Sequence, residues 1–328
     1  MARKQRYVVL GGGPGGLAAA TKLGRRLGED HEVVLVDRRA QHHFMPSYLF
    51  LMVGQRTPED ITGDLKRLER RNVQVVRSEI EGIDPDREEV ALADRRLGYD
   101  HLVISLGMQT RTDLIPGLAE GSHHAWEMDA ALRFRQELDT IERGRILVGI
   151  SPGPYRCPPA PYEVQWMIDA HLKARGVRDD VAIEFFTPSA EPRGDHHDPA
   201  VWMDAYSRGL GIRQHYDFQL QEVDPEAKLA RSIYGYELSY DVLFVVPPHL
   251  PSQVLIDSRL AESPAGIKVD YDTMRTRWDN VYAVGDCANL PASKAGGVAH
   301  QAADTVAHNL VVEATGRGVP GTLRLHTI

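Results

Sequence analysis

At 328 residues the chain is too long for one ordinary hydrophobic core and fits two domains of common size. A net charge of −8 and a pI near 6.0 exclude the basic field that nucleic acid binding requires. Only two cysteines, Cys157 and Cys287, are present, so no disulfide framework staples the fold and no metal site is expected.

The N-terminal Met-Ala-Arg-Lys-Gln-Arg runs into an apolar strand without the stretch and cleavage site of a signal peptide. No segment approaches the roughly 20 apolar residues of a membrane-spanning helix. The expectation is a cytoplasmic protein whose membrane contact is peripheral at most.

In chain order, residues 7–10 read as a strand, 11–16 as a glycine turn, 17–27 as a helix and 32–36 as a second strand ending at Asp37. That is a βαβ opening. A polar and aromatic loop is expected over 41–48, a helical stretch over 61–71, then strands broken at Asp84-Pro85-Asp86 and Asp94, with residues 99–107 closing the block. The pattern restarts with a strand over 145–150, a helix over 161–175 and a strand over 181–186. Further strands are expected over 240–246 and 281–284, and a helix over 296–314, all read as a return to the first domain. The fold class is therefore α/β with two Rossmann-like dinucleotide-binding domains, one formed by residues 1–112 and 238–328, the other by 113–237.

Gly11-x-Gly13-x-x-Gly16 between a strand and a helix gives a tight turn, close backbone approach to a pyrophosphate and close helix–strand packing. Asp37, 21 positions after Gly16, is placed to accept hydrogen bonds from an adenosine ribose. The motif alone does not separate FAD from NAD. Later in the chain, Tyr282-Ala283-Val284-Gly285-Asp286 resembles the flavin-binding segment of glutathione-reductase-like enzymes, and residues 99–107, ending in Gly107, resemble the strand and glycine with which that family leaves its FAD domain. The resemblance implies FAD, with Asp286 at the ribityl or pyrophosphate portion, and because residues 42–48 contain no cysteine for attachment the flavin is expected to be noncovalent. Lys294-Ala295-Gly296-Gly297 opens the last long helix, where a cation and helix-start amides would stabilise reduced anionic flavin.

After the first strand of the second domain, a nicotinamide-dependent relative would carry another glycine turn. Here Gly149 to Glu163 contains five prolines instead, and proline offers no N–H donor. The segment suits thiol chemistry: Cys157 precedes prolines compatible with a helix start, and Arg156 together with helix-start amides would favour its thiolate. The stretch Cys-Pro-Pro-Ala-Pro-Tyr-Glu, with His124-Ala125-Trp126, Phe44-Met45-Pro46-Ser47 and Pro247-Pro248-His249, resembles the flavocytochrome c sulfide dehydrogenase flavoprotein and its sulfide:quinone oxidoreductase relatives over essentially the whole chain.

That resemblance implies candidate catalytic residues Cys157, carrying sulfur, Glu163, managing protons, and Lys294. Its substrates would be sulfide or another sulfur donor and a quinone, and a homodimer is the family expectation. His123, His124, His196 and His197 are weaker proton carriers, expected to face solvent as loop residues. The family's second redox cysteine and its C-terminal docking helices have no counterpart before Ile328, so the C-terminal part of the fold is expected to be shortened. Two alternatives stand beside this reading: a NAD(P)H-dependent flavin reductase of the same fold, and a catalytically silent flavin-binding sulfur carrier.

Overall fold

The computed structural model describes residues 3–191 and 197–325. Its principal elements in chain order are β1 (Arg6–Leu10), α1 (Pro14–Leu27), β2 (Glu32–Asp37), β3 (Val73–Arg77), β4 (His101–Ile104), β5 (Gly144–Ile150), α2 (Ala160–Arg175), β6 (Val181–Phe186), α3 (His197–Gly209), β7 (Arg213–His215), β8 (Val242–Val246), β9 (Val281–Ala283) and α4 (Gly296–Thr315). They belong to two compact units. One comprises Met1–Phe44, Thr62–Gln109 and Leu250–Ile328; the other comprises Met45–Ile61 and Thr110–His249.

The first unit is built on a parallel sheet of order β3-β2-β1-β4-β9. Its central strands are apolar through their middles, over residues 7–10, 33–36 and 102–104, as strands covered on both faces must be. α1 turns a face of small residues inward, Gly15, Gly16, Ala19, Ala20 and Gly24, with Leu23 and Leu27 completing it. α4 likewise buries Ala299, Ala302, Ala303 and Ala307, and Gly316 in the left-handed conformation ends it. The order of chain travel reverses between β1 and β4, so the loops after these two strands part at the carboxyl end of the sheet, where doubly wound folds bind their ligands.

The second unit repeats the plan with a parallel sheet of order β7-β6-β5-β8. Its core holds Phe134, Phe185, Phe244, Ile168 and Leu172. Each unit also carries a three-stranded antiparallel excursion, residues 80–98 in the first and 220–239 in the second.

Three local expectations are corrected. The helical stretch expected over 61–71 is only partly helical: Thr62–Asp64 pairs antiparallel with Gln41–His43, and a 3-10 helix, not an α-helix, follows over Leu65–Arg71. Asp64 caps that short segment through the Lys66 amide, and Asn72 in the left-handed conformation stops it. The polar loop over 41–48 accordingly holds a strand and a 3-10 turn, Met45–Ser47. Finally, β8 does not return to the first sheet; it pairs in parallel with β5 and completes the second. No helix among the described residues is long and apolar enough to cross a membrane.

Candidate functional site

The first unit presents a dinucleotide cradle. Gly11 has φ +96°, and a Cβ there would lie 2.4 Å from the Ser105 carbonyl oxygen, so the turn after β1 presses against the end of β4. A Cβ on Gly16 would stand 1.8 Å from the Gly11 oxygen, which closes the turn onto α1. Gly13 differs: nothing lies within 4 Å of its missing Cβ. It caps α1 without any side-chain hydrogen bond, and the first turn carries no acid. A helix start without a side-chain cap or first-turn acid turns backbone N–H groups outward, an arrangement that suits a phosphate. The buried Asp37 carboxylate accepts from the Gly12 amide at 2.6 Å and the Arg39 amide at 2.7 Å, tying the end of β2 to the glycine turn.

The flavin-type segment lies in the same unit. Gly285 (φ +74°) opens a 3-10 turn, Gly285–Cys287, directly after β9, and the half-buried Asp286 sits within it. Gly15 and Gly285 each lie against both Ser105 and Ala299: a Cβ on Gly15 would meet the Ser105 hydroxyl at 2.8 Å, and one on Gly285 would meet the Ala299 Cβ at 3.4 Å. The starts of α1 and α4 therefore meet beside the strand ends. α4 also begins uncapped and without a first-turn acid, with Gly296 and Gly297 exposed and open around their missing Cβ positions. Gly107 (φ +65°) is open in the same way.

Lys294 points into this segment. Its ammonium donates to the carbonyls of Asp286 (2.7 Å), Ala265 (3.2 Å) and Ala288 (3.3 Å), which engages all three of its donors. Burial lowers its pKa, opposed by Asp286. Its charge thus braces the loop backbone. Cys287 is fully buried, donates to the Val284 and Ile104 carbonyls, and is pushed up to about 11 by burial. It behaves as a packed core group.

In the second unit, Cys157 is half-buried with φ +58°, a conformation that side-chain-bearing residues seldom adopt. Pro158 disfavours the right-handed region at the residue before it, and the Ala160 amide closes the turn on the Cys157 carbonyl at 2.9 Å. The amides of Tyr162 and Glu163 are both taken by the Pro159 carbonyl, and Pro158, Pro159 and Pro161 have none. The expected helix-start donors for a thiolate are therefore already committed to backbone bonds. Glu163, in the first turn of α2, is exposed at its surface, and partial desolvation raises its carboxyl.

A clasp that the sequence did not reveal holds this turn. Arg156 donates to the Trp126 carbonyl at 2.7 Å, and the Trp126 indole donates back to the Arg156 carbonyl at 3.1 Å. Arg156 also reaches the Met45 sulfur at 3.3 Å. His249 receives the loop from the other side: its amide donates to the Pro154 carbonyl and its Nδ1 to that of Pro247. His124 is buried rather than solvent-facing, and burial lowers it to about 4; His249 is lowered to about 3, by burial first and then by Arg156. His123 is half-buried, while His196 and the side chain of His197 lie outside the described residues.

No group of metal-ligating side chains occurs among the described residues. The uncapped starts of α1 and α4, the open Gly13, Gly107 and Gly296, and the buried acid after β2 fit FAD.

Comparison with known proteins agrees with this geometry. The model of the pyridine nucleotide-disulphide oxidoreductase family matches residues 5–149, and that of the central region of the sulfide dehydrogenase (flavocytochrome c) flavoprotein chain matches 131–247. The mitochondrial sulfide:quinone oxidoreductase of Dictyostelium discoideum is 26% identical over 318 residues, covering 93% of this chain and 70% of its own. The sulfide-quinone reductase of Aquifex aeolicus is 33% identical over 193 residues, covering 58% of this chain and 44% of its own. The solved sulfide:quinone oxidoreductase of Aquifex aeolicus superimposes with a TM-score of 0.85 at 25% identity, covering 95% of this chain and 77% of that one. The two family models together span residues 5–247, and over nearly its whole length this chain is similar to sulfide:quinone oxidoreductases of the pyridine nucleotide-disulphide oxidoreductase type.

Proposed function

We propose that the protein is an FAD-dependent oxidoreductase of the sulfide:quinone type, which takes electrons from sulfide, or another sulfur donor, through Cys157 and delivers them to quinone. The observation that carries this reading is the turn after β5. Where a nicotinamide enzyme needs glycines and unengaged amides, this chain has prolines, committed amides and a half-buried cysteine in a left-handed conformation.

The chemistry balances on the residues present. A Cys157 thiolate and hydrosulfide join through a new S–S bond to give a Cys157 persulfide, releasing one proton and two electrons. FAD, held by the cradle of the first unit, would supply the two-electron acceptor that this step requires, and quinone is the final acceptor. Glu163, with its raised carboxyl, receives the proton. Arg156, clasped to Trp126, holds the backbone on which Cys157 is presented. Asp37 and Gly13 hold the nucleotide end of the cofactor, and Lys294 braces the segment carrying Gly285 and Asp286. In this reading the protein works on the cytoplasmic side as a homodimer and meets quinone by peripheral contact with a membrane surface.

The test is steady-state turnover of the FAD-loaded protein with sulfide and a soluble quinone, beside NADH and the same quinone. Sulfide-driven quinone reduction is expected. Turnover with NADH and none with sulfide would replace this reading by that of a nicotinamide-dependent reductase; turnover with neither would point to a silent sulfur carrier.

A further inference from the structure

The first unit carries a second concavity, of about 500 Å³, lined by Arg25, Arg67, Arg70, Arg71 and Asn72. No carboxylate lines it, and among the described residues none of the four arginine side chains makes a salt bridge or hydrogen bond. Elsewhere the arginines of this acidic chain are commonly paired, as in Arg6–Glu32, Arg111–Asp113, Arg178–Asp169 and Arg231–Glu222. Four unpaired guanidinium groups gathered in one hollow are therefore a local exception.

The gathering is built into the fold. A Cβ on Gly24 of α1 would lie 2.2 Å from the Arg71 carbonyl oxygen, so only glycine lets the end of the Leu65–Arg71 segment come this close to the helix. That approach brings Arg71 beside Arg25. Arginines in a last helical turn also offset the helix dipole, but α1 presents only about half a negative charge there against four positive ones. A large positive excess remains. The hollow is separate from the dinucleotide cradle: Arg25 is eleven residues along α1 from Pro14, roughly 16 Å at 1.5 Å per residue, at the opposite end of the helix.

We propose that this hollow is a binding site for clustered phosphate oxygens, carried by a soluble polyphosphate-bearing molecule or by a phospholipid headgroup. Guanidinium groups match phosphate oxygens in pairs, and the exposure of Arg25, Arg67 and Arg70 leaves their forks available to an incoming anion. Asn72, with its left-handed backbone, ends the wall and offers an amide donor.

The experiment uses FAD-loaded protein and two probes. Calorimetric titration with inorganic tripolyphosphate tests the soluble source; flotation with vesicles of phosphatidylcholine, with and without phosphatidylglycerol, tests the headgroup. Wild type is expected to bind at least one probe saturably, and Arg67→Gln/Arg70→Gln to weaken that binding about tenfold or more while flavin content and turnover stay unchanged. Saturation by tripolyphosphate assigns the soluble source, and phosphatidylglycerol-dependent flotation alone assigns the headgroup. Binding should also fall as ionic strength rises. Absence of saturable binding to both probes, or equal binding by wild type and the double variant, overturns the proposal.

Discussion

The Gly12 amide donates to the Asp37 carboxylate at 2.6 Å, joining the turn after the first strand to the end of the second. A single buried carboxylate thus shapes the glycine turn while standing where a ribose would be received. Replacing Asp37 with alanine leaves a buried N–H unpaired, at a cost of about 1–3 kcal/mol. Asp37→Ala should therefore lower both apoprotein stability and FAD affinity, the latter by about tenfold or more. Titration of apoprotein with FAD, followed by flavin fluorescence, measures the second effect.

Gly13 and Gly16 should respond in opposite ways to the same methyl group. Gly13 has ordinary φ of −71° and open space around it, so Gly13→Ala should keep apoprotein stability within about 0.5 kcal/mol yet lose flavin. Gly16→Ala puts a methyl 1.8 Å from a backbone oxygen and should cost about 3 kcal/mol, even without cofactor. Chemical denaturation of the two apoproteins, with flavin content read separately, checks the pair.

His124 and His249 make the protein acid-sensitive. Their folded pKa values, about 4 and about 3, lie below the ordinary value of 6.5, because burial disfavours the charged ring. The unfolded chain therefore binds protons first as pH falls. Their contribution is intact above about pH 6.5 and is lost below it, by up to about 1.4 kcal/mol per pH unit for each ring. Denaturation midpoints of wild type and His249→Leu between pH 7 and 5 should show a shallower decline in the variant; equal slopes would contradict the assignment.

The two cysteines should differ in reactivity. Cys287 is buried and its thiol lies near 11, whereas Cys157 is half-exposed. Iodoacetamide applied to the native protein should add one label, at Cys157, and a second only in denaturant. Peptide mass mapping reads the positions.

Much of the cofactor half was legible in the sequence, because a glycine turn, an apolar strand and an acid at the next strand end are local patterns. β1, β2, β6 and the start of α4 lie at or close to their expected positions. The destination of β8 was not legible: an all-apolar strand suits either parallel sheet, and only the pairing with β5 decides. Residues 61–71 have helical composition in Leu-Lys-Arg-Leu-Glu-Arg-Arg, but seven residues stopped by a left-handed Asn72 cannot sustain an α-helix. Around Cys157 the nearby residues were readable, while the clasp between Arg156 and Trp126 joins positions 30 apart and exists only after folding. Lys294 was found by its place before α4, but its engagement with three carbonyls depends on the loop conformation.

The central claim is electron flow from sulfur to flavin through Cys157, and anaerobic reduction of the yellow FAD-loaded protein tests it most directly. Sulfide and NADH are each mixed with wild type and with Cys157→Ala, and the flavin absorbance is followed in time. Rapid bleaching by sulfide in wild type, lost in Cys157→Ala, and no bleaching by NADH is the predicted result. Bleaching by NADH alone, or sulfide bleaching that survives in Cys157→Ala at the wild-type rate, would contradict it.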